Sequence, residues 1–395
     1  MDHTSDCCCP CRGVADCDIS GLLEMLGSVP DCRKARGRVH EMVFVLAVSL
    51  VSVLAGASNF REIGDQAADL PQSLLRVLGA RWCHFRGAFR WPSERTIRRV
   101  LGGVDADVLD RVSGTWLRQA AVVDARASSD AGVGLVLAMD GKVLRGSWTD
   151  ENGMFTLFSA MVHEAGVTVA QVEVPPGTNE ITQVKSLLET VSVSEGEHVV
   201  VTADAAHTQR DTAAYLKGER GFDYVLQAKG NQPKLLDAVF EKVAPLLQSD
   251  PDHVVAERAH GRVNQWETWA TDAAGIDFPH VEQVACIRRK VFTLGGDCVR
   301  KEYVWILTSS TEADAQALHV FVRNHWGIEN KSHYVRDTTW HEDAHQAYVG
   351  NGPRVMATIR NLAAGLFRLN GHQKIKEATE WIARDRSRAL PLLAT

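Results

Sequence analysis

Three acids have the types and contexts to do chemistry together: Asp140 in GLVLAMDGKVLRGS, Asp204 in HVVVTADAAHTQ and Glu329 in VRNHWGIENKSHYVRD. Each aspartate ends a run of β-branched and apolar residues that reads as a buried strand, and Glu329 lies in a stretch of helical period. Two carboxylates at strand ends and one on a helix can converge on a pair of divalent cations. Such a pair activates a nucleophile and stabilises the leaving oxygen of an in-line phosphodiester displacement. Mg²⁺, with Mn²⁺ as a substitute, takes one or two carboxylates plus phosphate oxygens and water, so no cage of His and Cys is demanded.

Gly141 is expected to make a tight turn directly after Asp140, with Lys142 and Arg145 close enough to meet phosphate. Taken singly, an Asp-Gly pair is a common turn, and a strand-terminal aspartate commonly caps the helix that follows. The third acid adds geometry. In one helix through Leu318–Arg336, the residues Val322, His325, Glu329, His333 and Arg336 would share a face. That face would flank a metal-binding acid with groups able to hold DNA phosphates, among them His325 and Arg336. Gly327 costs such a helix about 1 kcal/mol relative to Ala.

The elements that must position these residues follow from period and turn signals. Residues 1–19 read as a tail, and 20–125 as a small α-helical domain. Ser93 in WPSERTIRRVL is a plausible N-cap, with Arg95, Arg98 and Arg99 projecting from the helix after it as DNA contacts. ARASSDAGVG is a polar linker. Strands are expected at Gly134–Met139, Phe155–Val162 and Val167–Val174, a helix at Glu180–Val191, and strands at His198–Ala203 and Asp223–Ala228. Thr208 is placed to cap the helix between the last two. Lys229, in KGNQ, lies beyond the final strand as a further phosphate contact. Between KGNQ and Glu329, the β-like segments VVAERAHGRVNQWETWATD, VEQVACIRRKVF and KEYVWILTSS read as an insertion over about residues 240–312. The order fits an α/β layer built on an open mixed sheet, spanning 134–370 and followed by a basic helical tail at 371–395.

Composition sets the bounds. At 395 residues, with 45% hydrophobic and 23% charged residues, the chain has the make-up of a soluble protein of two or three compact units. Its longest uncharged apolar run, Met42 to Ala57, covers 16 positions. A spanning helix needs roughly 20, so a buried core helix is expected and a membrane partner is not. No secretion signal is recognisable, and a cytoplasmic location, nucleoid-associated on DNA, follows by default. Net charge is −6, yet Asp31–Val100 holds 12 Lys/Arg against 6 Asp/Glu, and Arg354–Leu392 holds 8 against 3. Basic ends could meet phosphate while an acidic middle binds metal. Cys7, Cys8, Cys9, Cys11 and Cys17 crowd the N-terminus without the second Cys or His pair of a zinc finger.

Several segments together resemble one family. AMDGKVLRGS, PPGTNEI, TADAAHTQ, YVLQAKGNQPKLL, HGRVNQWETW and HWGIENKSHYVRDTTWHEDAHQ are similar, in that order, to motifs of bacterial insertion-sequence DDE transposases, in the branch of the H-repeat-associated proteins. The likeness runs from about Asp31 to Asn370. It implies an α/β, ribonuclease H-like catalytic core with a β-rich insertion between the second Asp and the Glu. It further implies cleavage of double-stranded DNA at element ends and strand transfer to target DNA by a 3′-hydroxyl. The implied catalytic and metal residues are Asp140, Asp204 and Glu329, holding two Mg²⁺ ions, and by analogy a homodimer on DNA. The chain departs from the broader signature around the Glu, which has Tyr, Arg and Lys where Val322, His325 and Arg336 stand. Gly177 replaces a Lys usual in the PPGTNEI turn.

Three other readings share some of these residues. A decayed or repurposed DNA-binding protein would keep the fold without catalysis, and a metal-dependent nuclease would act outside transposition. His341-Glu342-Asp343-Ala344-His345 also matches HExxH, the pattern of zinc metalloproteases, although Tyr348 and Asn351 occupy the Gly and third-His positions of its longer form.

Overall fold

Two compact units divide the chain: one from residues up to 120, 144–154 and 335 onward, the other from 121–143 and 155–334. The computed structural model describes residues 18–36, 38–127, 134–149, 153–259 and 261–394. The cysteine cluster at 7–17 and most of the ARASSDAGVG linker lie outside them.

The first unit is built around the apolar run, which forms the helix Met42–Leu54. Apolar residues stand on every side of this helix, so it has no face to offer water, and twelve of its thirteen residues are buried. Helices Phe60–Ala68, Glu94–Gly102 and Gly352–Leu369 pack against it. Each Leu, Val or Phe taken fully out of water contributes about 1.5–3 kcal/mol. Among the described residues no helix is long and apolar enough to cross a membrane. Ser93 caps Glu94–Gly102 by accepting from Thr96 N–H, as its position before the apolar period predicts. A short hairpin, β1 (Trp82–Cys83) with β2 (Ala88–Phe89), completes the N-terminal part.

The second unit is a mixed α/β layer on a nine-stranded sheet. Its strands are β3 (Leu135–Thr149), β4 (Gly153–Val162), β5 (Thr168–Val174), β6 (Val199–Ala203), β7 (Asp223–Ala228), β8 (His253–Ala259), β9 (Arg262–Asp272), β10 (Gln283–Thr293) and β11 (Cys298–Thr308). They are ordered β5-β4-β3-β6-β7-β11-β10-β9-β8. The central β3, β6 and β7 pair in parallel, which buries their apolar runs on both faces. β8 to β11 form an antiparallel meander that continues the same sheet, because β11 pairs β7 from Trp305↔Ala228 to Thr308↔Val225.

Three local expectations change. Thr208 caps no helix: its hydroxyl donates to Gln227 O at 2.6 Å, and Gln209 takes the N-cap position. The single helix expected at Glu180–Val191 is a 3₁₀ turn, Glu180–Gln183, followed by a shorter α-helix, Val184–Glu189. β3 does not stop at Asp140 but runs on through Gly141.

β7 is anchored by one buried acid. Asp223 accepts from Lys217 Nζ at 2.7 Å and Ser309 Oγ at 2.7 Å, and lies 2.8 Å from His198 Nε2. Burial opposes ionisation here, but these partners outweigh it and hold the carboxyl below its ordinary range. A depressed carboxylate pKa stabilises the fold above the unfolded-state value and loses that contribution as pH falls through the folded one. Asp223→Ala should therefore cost about 2–4 kcal/mol in urea unfolding at pH 7. Wild type should converge on the variant as acid protonates Asp223, and a gap that stays constant down to pH 2 would refute this account.

Candidate active site

The register of two strands sets the first two acids side by side. The last paired rung of parallel β3 and β6 is Met139↔Ala203, so the next residue on each strand is an aspartate, Asp140 and Asp204. Adjacent parallel strands lie about 4.8 Å apart. Asp204 also caps the 3₁₀ turn after β6, accepting from Ala206 N–H at 2.9 Å through one carboxylate oxygen. The third acid arrives on a wound-out helix: Ala315–His325 ends, and Ile328–His333 continues as a π-helix. Single-turn π segments are frequent at functional sites. Ile328 is buried against Ala138 of β3 and Met161 of β4, fixing the next residue, Glu329, at the edge where Asp140 emerges.

One histidine ties the acids together. His333 Nδ1 lies 3.0 Å from Glu329 Oε2 and 3.6 Å from Asp140 Oδ2. Asp140, Glu329 and His333 each offer a ligand atom, all within 4.8 Å of one another. The two acids respond oppositely to their surroundings. Burial pushes Asp140 up to about 6, against the pull of His333 and the Gly141 amide, while Glu180 and Asp204 add to the rise. The hydrogen bond with His333, aided by the charge of Lys142, holds Glu329 below its ordinary range. This donor set, carboxylate oxygens with one imidazole nitrogen, suits a divalent cation of the Mg²⁺ or Mn²⁺ kind.

Comparison with known proteins meets this geometry. The family model described as "Transposase DDE domain" matches residues 132–366, well over half of the chain, and "DDE_Tnp_1-associated" matches residues 23–117. The chain belongs to the transposase DDE domain family. It is similar to YncI of Escherichia coli O157:H7, a transposase by name, at 27% identity over 89% of this chain and 88% of that one. YhhI of Escherichia coli K12, named as an H repeat-associated transposase, is 25% identical over 95% of this chain and 98% of its own. The solved piggyBac transposase synaptic complex with hairpin DNA aligns at 11% identity and a TM-score of 0.40 over 94% of this chain and 78% of its own. Membership of the DDE family implies dependence on a divalent metal and makes DNA the substrate class.

The residues expected to hold DNA divide by burial. Arg95, Arg98 and Arg99 are exposed on Glu94–Gly102, with Arg98 paired to Glu94 and over the Phe60 ring at 5.3 Å. Lys229 is exposed after β7, and Arg145 is exposed with Asp343 at 3.5 Å. Lys142 is buried, 8% exposed, and acts on Glu329 through its charge.

His325 and Arg336 need correction as phosphate contacts. His325 is buried, its pKa lowered by that burial to about 4, so at neutral pH it brings no positive charge. Its Nδ1 lies 3.0 Å from Thr202 Oγ1, which lies 2.8 Å from His163 Nε2. Arg336 is 1% exposed, with its guanidinium 3.1 Å from Glu342. The single helical face over 322–336 fails because the π segment changes the angular step between Glu329 and its neighbours.

The zinc-protease reading is overturned by the same buried acid. Glu342 is held between Arg336 and Arg360 in the core, at 3.1 and 3.0 Å, and cannot serve as a general base. His341 sits at left-handed φ 49° and only three residues of 3₁₀ turn follow, so the two histidines share no α-helix. His345 Nδ1 faces Arg360 at 3.1 Å. His333, four residues after Glu329, is legible in the sequence as its neighbour on a helix; Glu180, in PPGTNEI, comes to the Asp140 strand only through the fold.

Two substitutions test this description. Glu342→Gln should cost about 3–5 kcal/mol in denaturant unfolding, because it leaves two buried guanidiniums uncompensated; a change under 1 kcal/mol would sink the network. Thr202→Val should cost about 1–2 kcal/mol by removing the hydroxyl between two buried imidazoles, and unchanged thermal unfolding would show that the hydroxyl does not link them.

Proposed function

We propose that the chain is a DNA transposase that cleaves double-stranded DNA at insertion-sequence ends and joins the 3′-hydroxyl so released to target DNA. The observation that supports the reading is that Asp140 and Asp204 each follow the last paired rung of two parallel strands, with Glu329 and His333 beside Asp140, in a DDE-family chain. The strand order, three strands, a turn and helix, then β6 and β7, supports a ribonuclease H-like core in which β8 to β11 are an insertion.

In this reading Asp140, Asp204 and Glu329 hold two Mg²⁺ ions, with Mn²⁺ as a substitute. Bound cations would supply a lowered pKa at the attacking water or 3′-hydroxyl and charge neutralisation at the departing oxygen. The chain's own residues do the rest. Ile328 sets the depth of Glu329, His333 aligns the carboxylates of Glu329 and Asp140, and Lys142 offsets part of their repulsion. Lys229 and Arg145, and on the N-terminal helix Arg95, Arg98 and Arg99, are the exposed cations proposed to meet DNA phosphates. Two copies on DNA, one for each end, belong to the same proposal.

Mg²⁺-dependent nicking of duplexes carrying the DNA that flanks the gene tests the reading. Asp140→Asn, Asp204→Asn and Glu329→Gln should each lower the rate by about 100-fold or more, the scale on which removing one transition-state stabiliser acts. Nicking that survives all three substitutions would remove these acids from the reaction. DNA binding by wild type without any nicking would favour a non-catalytic DNA-binding protein.

A further inference from the structure

A fourth carboxylate stands beside the site, and the glycine next to Asp140 is what lets it in. Gly141 is not in a turn: β3 continues through it, and its φ lies outside the left-handed region. A β-carbon placed there would lie 1.8 Å from Glu180 Oε1 and 2.1 Å from Glu180 Cδ. A side chain there would force that carboxylate to move from its present position. Glu180 opens the 3₁₀ turn Glu180–Gln183 after β5, reached through Pro175–Asn179, where Gly177 takes a left-handed φ of 77° and Thr178 Oγ1 donates to Pro175 O at 2.7 Å. The turn therefore aims Glu180 back at β3.

The other side of Glu180 is also built. His207 Nε2 lies 3.7 Å from Glu180 Oε2, and the imidazole is 1% exposed and stacked on Phe158 with centroids 4.9 Å apart. Its Nδ1 has no hydrogen-bond partner. The Glu180 side chain keeps a third of its surface open to solvent, so a cation can reach it. Gathering further carboxylates beside the half-buried Asp140 is unfavourable unless something positive sits among them.

We infer that Glu180 is a metal ligand of the same site, holding one divalent cation beside Asp140, while Asp140, Glu329 and His333, whose donor atoms lie within 4.8 Å of one another, hold the other. The inference rests on the metal-dependent reading above. It assigns Gly141 a role in the site: the position is kept free of a side chain so that Glu180 can approach. Affinity of hard cations for oxygen sites rises with the number of charged ligands, so the loss of Glu180 weakens one ion and spares the other.

Mn²⁺ binding to the full chain, read by the electron paramagnetic resonance of free Mn²⁺ and by titration calorimetry, tests this without any DNA. Wild type should bind two ions. Glu180→Gln and, independently, Gly141→Ala should each weaken one ion by about tenfold or more and leave the other within twofold, with far-UV circular dichroism unchanged. Asp140→Asn, which touches both ions, should weaken both. If either folded variant keeps two ions at wild-type affinity while Asp140→Asn loses them, Glu180 is not a ligand and the three-acid reading stands. If wild type binds no Mn²⁺, or Asp140→Asn binds as wild type does, the metal reading itself fails.

Discussion

The parallel pairing of β3 with β6 is the constraint on which the site depends. Five rungs of buried Val, Leu, Ala, Met and Thr hold the two strands in register, and the pairing stops one residue short of Asp140 and Asp204. A slip of one residue would turn every side chain of a strand to the opposite face. Burial on both faces makes that slip expensive, so the apolar packing of the rungs decides where the two carboxyl groups stand. Burial, with the charges of Glu180 and Asp204 adding to it, pushes Asp140 toward the neutral form, and a cation is the natural relief.

The helical side of the site obeys a different logic. In the proposed reaction Glu329 needs both solvent access for substrate and a fixed position. Its neighbour Ile328 is buried beside Met161 and Ala138, so a half-exposed acid is located by a wholly buried one-residue anchor. Beneath it, Thr202 links two imidazoles that burial keeps neutral. Neutral histidines satisfy polar atoms in the core without adding charge to an already charged edge.

Part of the charge in the other unit is turned inward. Arg336 and Arg360 share the buried Glu342, and Arg354 pairs with Asp110 at 2.7 Å and Asp107 at 2.6 Å. Half-satisfied buried ions destabilise, whereas closed networks tolerate burial. The excess of Lys and Arg between residues 354 and 392 therefore overstates the positive surface on offer to a polyanion, and the exposed arginines of Glu94–Gly102 are the better candidates.

What the sequence by itself determined is most of the strands, the core helix and the family. Runs of β-branched residues located β4 to β7, the 16-residue apolar stretch located a core helix, and the order of motifs located the family. These features are local: they depend on period 2 or 3.6 and on residue type. What only the tertiary structure decided is which groups near the site's acids are wet and which are paired. His325 and Arg336 read as helix-face cations until burial neutralised one and an ion pair enclosed the other. Glu180 and Gly141 lie 39 residues apart in sequence and carry no shared period, so their approach exists only once β5 and its turn fold back on β3. Desolvation and contact across distant segments are properties of the packed chain, and a linear pattern holds no record of either.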